Sequence, residues 1–564
     1  MVYISTDGGT GVSPDSAYYL GAAESLVEGR GFKVPVSYPL DNSDFHPLEL
    51  WPPLYPFLLA LPTVLGTSPV QGARVLSLVF FPLLVLVVFI TGLYLGRQIS
   101  PGVDESESRQ KSGIRPEKRE GGLISDILGT PGLVGWVACA GLVSLAPIIY
   151  VCSFAWSELP FIFFSSLSIL LFVWLGRKMD QVRSEGAAAP PLWPWLVVAL
   201  PVSLACLTRY VGLILVPVGI FAVIRVQHSL EETRRFWSGL LVFVFFSVLP
   251  ISAWFVRNLL LSGYLTGMTR NPPGLFGFMG NLVDLLQTLL VDFFPRPALG
   301  MGLLSALRSL IPIALVVLAL GFAVFLFMGS GRWKARELLK KFGEEFKSTL
   351  HTTRALVFFV LLYSFGLCAT RTYFREDIIG TRLASPLYPV LLVIGALFVG
   401  RAWSSRNRVL RMALVILVIG FISVHALSLS RLLEKAEDYR QFNSPYWLED
   451  EGVLWASANA PVDLTIFSNH ADGLSFLLRR PVHWVPAVSR TEVTGEWMGF
   501  AVDLPGPHLV MLYSFNARER NTVSKEDLPE LQRIALERDF EIVIKFNTSR
   551  VSCLSFQPGE MQVP

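Results

Sequence analysis

Apolar residues in this chain come in runs of about twenty, not in the short alternations of a soluble sheet or the three-and-four spacing of a surface helix. A helix needs ~20 apolar residues to cross the hydrocarbon layer of a bilayer. Runs of that kind are found at 75–97, 132–151, 160–176, 192–208, 210–226, 237–256, 306–328, 355–370, 383–401 and 411–429, which predicts about ten transmembrane helices. The shorter run from Pro53 to Gly66 is rich in proline and reads as an interfacial or re-entrant helix ahead of the first span. The pattern changes after residue 430, where DLTIFSN, VHWVP, HLVMLYSF, EIVIKF and RVSCLSF read as strands, and ADGLSFLLRR and KEDLPELQRIALERD as helices. That alternation predicts a small α/β domain. The expected organisation is a first loop at 1–74, a transmembrane domain at 75–429 and a soluble domain at 430–564.

Charge supplies the orientation. Lys and Arg gather in every second loop: 97–125, the stretch after 176 (Arg177, Lys178, Arg183), Arg225 with Arg234 and Arg235, the cluster from Arg332 to Lys347, and Arg401 to Arg411. By the positive-inside rule these loops face the cytoplasm. Residues 1–74 and 430–564 then both lie outside. An even number of spans with an outer N-terminus and no signal peptide leaves two expectations: the acidic N-terminal tail translocates by itself, or a further helix lies upstream of this start, the reading favoured here.

Composition narrows the function. The 564 residues are 52% hydrophobic and only 16% charged, against about 25% charged in an ordinary soluble protein. A net charge of +3 gives no support to nucleic-acid binding as the main role. The five cysteines lie apart, four of them in apolar stretches, and read as buried free thiols, not a disulfide framework. No metal-ligand spacing is present: His46 and Glu49 read as a surface loop, and Asp7-Gly8-Gly9-Thr10-Gly11 lacks the Lys and the following helix of a phosphate loop. The sequence calls for neither cofactor nor metal.

The chemistry-bearing residues that remain sit in the outer segments. Ser13-Pro14-Asp15 opens a helix, with Ser13 as N-cap and Pro14 at the first helical position. The helix should run to about Val27, with Gly29 and Gly31 as stop signals. Asp15 falls in its first turn, where the helix dipole favours a carboxylate, so it serves either as a cap or as a functional acid. Glu158 is an acid set between two apolar spans, next to Pro160, and is either a helix-start carboxylate or a functional one. Arg209, Arg257, Arg270, Arg296, Arg371, Arg375 and Arg382 stand against the inward bias of the chain. Clustered arginine suits a phosphate, which it binds through forked, charge-assisted hydrogen bonds. Headgroup anchoring and pairing with Asp292, Glu376 or Asp377 are the alternatives, chiefly for Arg371 and Arg375; Arg209 has no acidic neighbour in sequence. The stretch NLVDLLQTLLVDFFPRP is amphipathic and reads either as a lid or as a surface helix. Spans 75–96, 132–151 and 383–400 carry no Lys, Arg, Asp or Glu inside them, and 306–328 carries only Arg308 near its start, unlike the spans of ion-coupled pumps.

Taken in order, Asp15 with AYY and GRGF, PPLYPFLLAL, Trp156-Ser157-Glu158-Leu159-Pro160, Leu207-Thr208-Arg209, Trp254 with Arg257-Asn258, and Arg382-Leu383-Ala384-Ser385-Pro386-Leu387-Tyr388-Pro389 resemble the multi-spanning GT-C glycosyltransferases. The branch is the family 39 group, with the protein mannosyltransferases and the lipid A aminoarabinose transferase. The resemblance runs over roughly residues 13–400. It implies a helical membrane enzyme, in a prokaryotic cell envelope, whose active site lies on the extracytoplasmic face. Such an enzyme moves a sugar from a polyprenyl phosphate to the hydroxyl of a lipid, glycan or protein acceptor, with inversion. It also implies roles: Asp15 as the catalytic base, Glu158 as a second carboxylate orienting acceptor or sugar, and Arg209, Arg257 and Arg382 on the donor phosphate. Relatives have a first span before the acidic loop and often two consecutive acids, where this chain has Asp15-Ser16. A flippase for lipid-linked sugars and a membrane scaffold that binds a partner through its tail are the competing functions.

Overall fold

The computed structural model describes residues 1–37, 44–97, 129–184, 191–224, 230–266, 277–295, 353–373, 378–404, 408–437, 440–485, 508–514 and 540–558, with a few isolated positions besides. The expected span 306–328, Arg270, Arg296, Arg375 and most of the predicted helix KEDLPELQRIALERD lie outside the described residues. The chain forms two compact units: Met1–Leu78 with Cys152–Trp156 and Leu433–Pro564, and Val79–Val151 with Ser157–Leu432.

The first unit holds the short turn α1 (Val2–Ser5), α2 (Pro14–Val27) and α3 (Leu54–Val64), followed by the start of α4 (Pro69–Gly96). Its strands are β1 (Lys33–Val34), β2 (Val36–Ser37), β3 (His46–Pro47), β4 (Thr465–Ser468), β5 (Val482–Trp484), β6 (His508–Tyr513), β7 (Phe540–Asn547) and β8 (Val551–Pro558). Six of them make one mixed sheet in the order β2-β5-β4-β6-β8-β7. β2, β5, β4 and β6 are parallel neighbours, and β8 is antiparallel to both β6 and β7. β2 comes from the first loop, so residues that the apolar pattern treats as separate pieces share a sheet. Ile466, Leu509, Met511, Val551 and Cys553 from the sheet bury against Leu474 and Val453.

Asp450 holds one edge of that core. Its Oδ1 accepts the backbone N–H groups of Gly452 and Val453 at 3.0 and 3.1 Å and the Tyr513 hydroxyl at 3.0 Å. Its Oδ2 pairs with Arg550 at 2.9 Å. His470 stands in the same cluster, edge-on to Trp447 and Tyr513. Burial and the nearby Arg550 push its imidazole down to about 4. The unfolded chain therefore binds a proton between about pH 6.5 and 4 that the folded unit refuses, and stability falls as pH drops through that window. His470→Phe should flatten this acid sensitivity in thermal unfolding measured from pH 7 to pH 4; an unchanged pH profile would remove His470 as its source.

The second unit is helical. After α4 come α5 (Thr130–Ser144), α6 (Ala146–Cys152), α7 (Glu158–Ser184), α8 (Trp193–Thr208), a 3-10 turn at Tyr210–Ile214 and α9 (Leu215–Val223). α10 (Leu230–Ser262), α11 (Phe278–Phe293), α12 (Arg354–Tyr373), α13 (Thr381–Ala384), α14 (Leu387–Ser404) and α15 (Arg408–Glu434) follow. Among the described residues six helices are long and apolar enough to cross a membrane, or seven if the bent pair α5–α6 is one span. That pair bends by 62°. The break is at Leu145, which is extended (φ −66°, ψ 101°), and Pro147 falls in the first turn of α6, where it has no N–H to give to the carbonyl of Val143. All five cysteines are buried free thiols.

α4 and α5 touch through glycine. A Cβ on Gly92 would lie 2.8 Å from the Gly135 Cα and 3.0 Å from its nitrogen, both backbone atoms. Gly92→Val should therefore push the two helices apart, with an overpacking cost of ~1–3 kcal/mol. The measurement is the unfolding temperature in detergent, and a variant as stable as the parent would contradict the close crossing.

Candidate functional site

Three of the charged residues singled out in the sequence meet in the second unit. Glu158 is the first residue of α7, and 1% of its side chain is exposed. Arg209 follows the last residue of α8 in an extended conformation (φ −150°, ψ 134°). Arg382 lies on α13, which Pro386 separates from the span α14. Both guanidiniums donate to the same oxygen, Glu158 Oε1: Arg209 through a terminal nitrogen and Arg382 through Nε. Arg209 also reaches the Ser157 hydroxyl at 3.4 Å. Glu158 Oε2 is buried with no hydrogen-bond partner among the described residues. Among the described residues the cluster sets two guanidiniums around one carboxylate, at the ends of apolar helices.

Local backbone explains how the arginines are aimed. Gly212 N donates to Arg209 O at 2.8 Å, which folds the 3-10 turn back on the end of α8. A Cβ at Gly212 would come within 2.6 Å of the Ala205 carbonyl carbon, so only glycine fits. On the other side, the Tyr363 hydroxyl of α12 donates to Leu383 O at 3.0 Å, and Ser385 Oγ donates to Arg382 O at 2.7 Å.

α11 anchors the same segment. Its Thr288 donates to Ile379 O at 2.8 Å, and its Asp292 accepts hydrogen bonds from Thr381 Oγ1 at 3.0 Å and from the Tyr388 hydroxyl. Burial raises the Asp292 carboxyl above its ordinary range, while those two hydrogen bonds act to lower it. Asp284 pairs with Arg371 at 2.6 Å. His425 of α15 meets Phe293 O through Nε2 at 3.2 Å. The amphipathic stretch is thus a docked helix that braces the turn carrying Arg382. Neither Asp292 nor Tyr388 had been singled out as a brace: the signal, an acid in an apolar helix, is visible, but its partner lies 96 residues away.

Arg257 is placed differently. Its guanidinium lies 4.2 Å over the Trp254 ring and donates to Asn258 Oδ1 at 2.9 Å. It is not one of the ion-pair partners of Glu158. Trp254 Nε1 in turn donates to the Tyr210 hydroxyl at 3.2 Å, next in sequence to Arg209.

Asp15 belongs to the first unit. α2 begins as its sequence indicates, with Pro14 at its start and Ser13 Oγ accepting the Ser16 N–H at 3.3 Å. Its end carries Gly29 and Gly31 at φ of 78° and 77°. The same Ser13 oxygen accepts Trp156 Nε1–H at 2.7 Å. Trp156 stacks on Phe154 with ring centroids 4.1 Å apart. The strand-like segment at Gly11–Val12 runs between two others: Gly11 exchanges hydrogen bonds with Ser153 and Ala155 at 2.8 and 2.9 Å, and Val12 with Arg440 and Phe442 at 2.9 and 3.0 Å. This clamp fixes the helix start that carries Asp15. Trp156, read in the sequence only as part of a motif, is one of its members. Among the described residues no group of three or more His, Cys, Asp or Glu could hold a metal ion.

The class that the fold defines is a unit of long apolar helices with a charged cluster at their ends, and its fold is similar to that of a solved GT-C enzyme. The apo crystal structure of ArnT from Cupriavidus metallidurans aligns with a TM-score of 0.51 at 11% identity, over 98% of this chain and 95% of that one. The same protein bound to undecaprenyl phosphate gives 0.47 at 11% identity with the same coverage. The Archaeoglobus fulgidus oligosaccharyltransferase in complex with zinc and sulfate gives 0.46 at 12% identity, over 100% of this chain and 73% of that one. ArnT is a GT-C enzyme, so the likeness in fold agrees with the resemblance carried by the ordered motifs. No family model matches the sequence, and no curated protein does.

Proposed function

We propose that the chain is a membrane glycosyltransferase that moves a sugar from a polyprenyl-phosphate donor to an acceptor hydroxyl. The observation that carries this reading is the Glu158–Arg209–Arg382 cluster. It sets two guanidiniums, with forked N–H donors, around one carboxylate at the boundary of apolar helices. A phosphate on a long hydrocarbon tail fits that combination: the tail stays among the helices and the anion meets the arginines. In this reading the cluster faces outward, the chain crosses the bilayer about ten times, and the sheet unit lies outside the cytoplasm.

The reaction needs a proton acceptor, an anion stabiliser and a displaced leaving group. Asp15 takes the proton of the acceptor hydroxyl as its oxygen attacks the anomeric carbon. The bond from that carbon to the phosphate oxygen breaks, inversion follows, and the phosphate leaves with its prenyl tail. Arg209 and Arg382 stabilise the charge that grows on the phosphate, and Arg257 lies one aromatic layer away along Trp254 and Tyr210. Glu158 holds both arginines through Oε1. Its buried Oε2 has room for one hydrogen bond, which a hydroxyl of the sugar or of the acceptor supplies.

Mass spectrometry of the lipid that co-purifies with the full chain tests the donor class. A polyprenyl phosphate, with or without a sugar, is expected. Enrichment of ordinary phospholipids alone, in the parent chain and in Arg382→Ala alike, would contradict the reading.

A further inference from the structure

Asp292 lies next to the last residue of α11 and is 7% exposed. Its two oxygens reach residues on either side of Arg382. Oδ1 accepts from the Thr381 hydroxyl at 3.0 Å, and Oδ2 accepts from the Tyr388 hydroxyl. A single carboxylate therefore closes the loop from Thr381 to Tyr388, with Arg382 inside it. The Tyr388 hydroxyl also lies 3.2 Å from the Thr381 carbonyl, across the mouth of the same loop.

Docking of α11 does not depend on this staple. Asn281 donates to Thr372 Oγ1 at 2.8 Å, Asp284 pairs with Arg371 at 2.6 Å, and Thr288 donates to Ile379 O at 2.8 Å. Positions 281, 284, 288 and 292 recur at three and four, so one face of the helix makes all four contacts. The first three hold α11 to α12 and to the approach to α13. Asp292 alone among them spans the turn, and what it adds is control of the backbone beneath Arg382.

We infer that Asp292 is a positioning residue for donor recognition, which, by tying Thr381 to Tyr388, holds the turn from which Arg382 reaches the donor phosphate. The inference rests on the reading of Arg382 as a phosphate ligand given above. A long side chain recognises an anion well only when its backbone is already fixed, because ordering it on binding costs affinity. The staple meets that cost in the folded chain. Asp292 itself stays off the donor, since it is buried and both of its oxygens are engaged.

The test measures binding of undecaprenyl phosphate to the full chain in detergent, with the unfolding temperature alongside. Asp292→Ala should weaken binding about 5–10-fold, in scale with hydrogen bonds to a charged group. Tyr388→Phe removes one arm of the staple, keeps the ring, and should weaken binding about threefold; it carries the test where Asp292→Ala is unstable. Asp292→Asn keeps an acceptor for one arm and offers an amide N–H to the other, so it should recover binding to within about twofold of the parent. In an Arg382→Ala background, adding Asp292→Ala should cause no further loss, because Asp292 acts only through Arg382. Additive losses, or a loss in Asp292→Asn as large as in Asp292→Ala, would overturn the inference and leave the phosphate reading standing. So would parent-like binding in Asp292→Ala and Tyr388→Phe while Arg382→Ala binds weakly. Parent-like binding in Arg382→Ala would overturn the phosphate reading, and the inference with it.

Discussion

Asp15→Asn is expected to lower sugar transfer by roughly 10²–10⁴-fold, the range lost when a general base is removed. The substitution keeps the size and shape of the side chain and stays within the first turn of α2. Ser13 still caps the helix and Trp156 still clamps Ser13, so the unit should fold and unfold as before. Binding of undecaprenyl phosphate, used as a probe without a sugar, should also be unchanged, because the phosphate is assigned to the arginines. The pattern to look for is a fall in kcat with intact binding and intact stability. Transfer within a few-fold of the parent would remove Asp15 from the mechanism. A loss of stability to match the loss of transfer would mean that Asp15 acts only as a helix cap.

Glu158 should respond in the opposite way. Its carboxylate is buried and shared by two guanidiniums, and removing one partner of such a cluster costs ~3–5 kcal/mol. Glu158→Ala should therefore lower the unfolding temperature and leave Arg209 and Arg382 repelling each other. Glu158→Gln keeps the volume and removes the charge. With one negative charge fewer beside the two guanidiniums, it should hold undecaprenyl phosphate at least as tightly as the parent. Transfer should nevertheless drop by about tenfold or more, as expected when one group that orients the transition-state donors is lost. Tighter product binding with slower turnover separates a positioning role from a merely structural one. Normal turnover with normal binding in Glu158→Gln would contradict the role given to this residue.

How much of this was legible in the sequence depends on the distance over which each feature is encoded. The start of α2 is local: a serine, a proline and an acid within three residues specify the cap, and the structure shows it. The end of the same helix is equally local, since Gly29 and Gly31 take the left-handed conformation that glycine favours. Pairing of Glu158 with Arg209 and Arg382 spans 51 and 224 residues, and no periodicity connects them. Arg209 stands out because it has no acidic neighbour in sequence, and Glu158 because it is an acid set between two apolar spans; the structure pairs the two. Arg371 pairs with Asp284 on α11, 87 residues away, which its own neighbourhood in sequence does not announce.

The sheet was harder to foresee. β2 is only Val36–Ser37, too short to show alternation, yet it pairs in parallel with β5 across hundreds of residues. α11 illustrates the limit of amphipathicity, which marks one apolar face but does not say what covers it. Hydrogen bonds from Thr381, Tyr388 and Asn281 supply the answer, and they depend on α12 and α13 being in place. The break at Pro386 is similar in kind. It places Arg382 outside the span α14, where the apolar run from 383 onward had hinted only at a boundary.

The central claim is a transfer reaction, and it is tested most directly with the full chain in liposomes that contain a polyprenyl-phosphate sugar and a hydroxyl acceptor. Release of polyprenyl phosphate, one for each new glycosidic bond of inverted configuration, is the predicted result, lost in Asp15→Asn and reduced in Arg382→Ala. Movement of intact donor between leaflets with no new bond, unaffected by either substitution, would contradict the account and leave a flippase in its place.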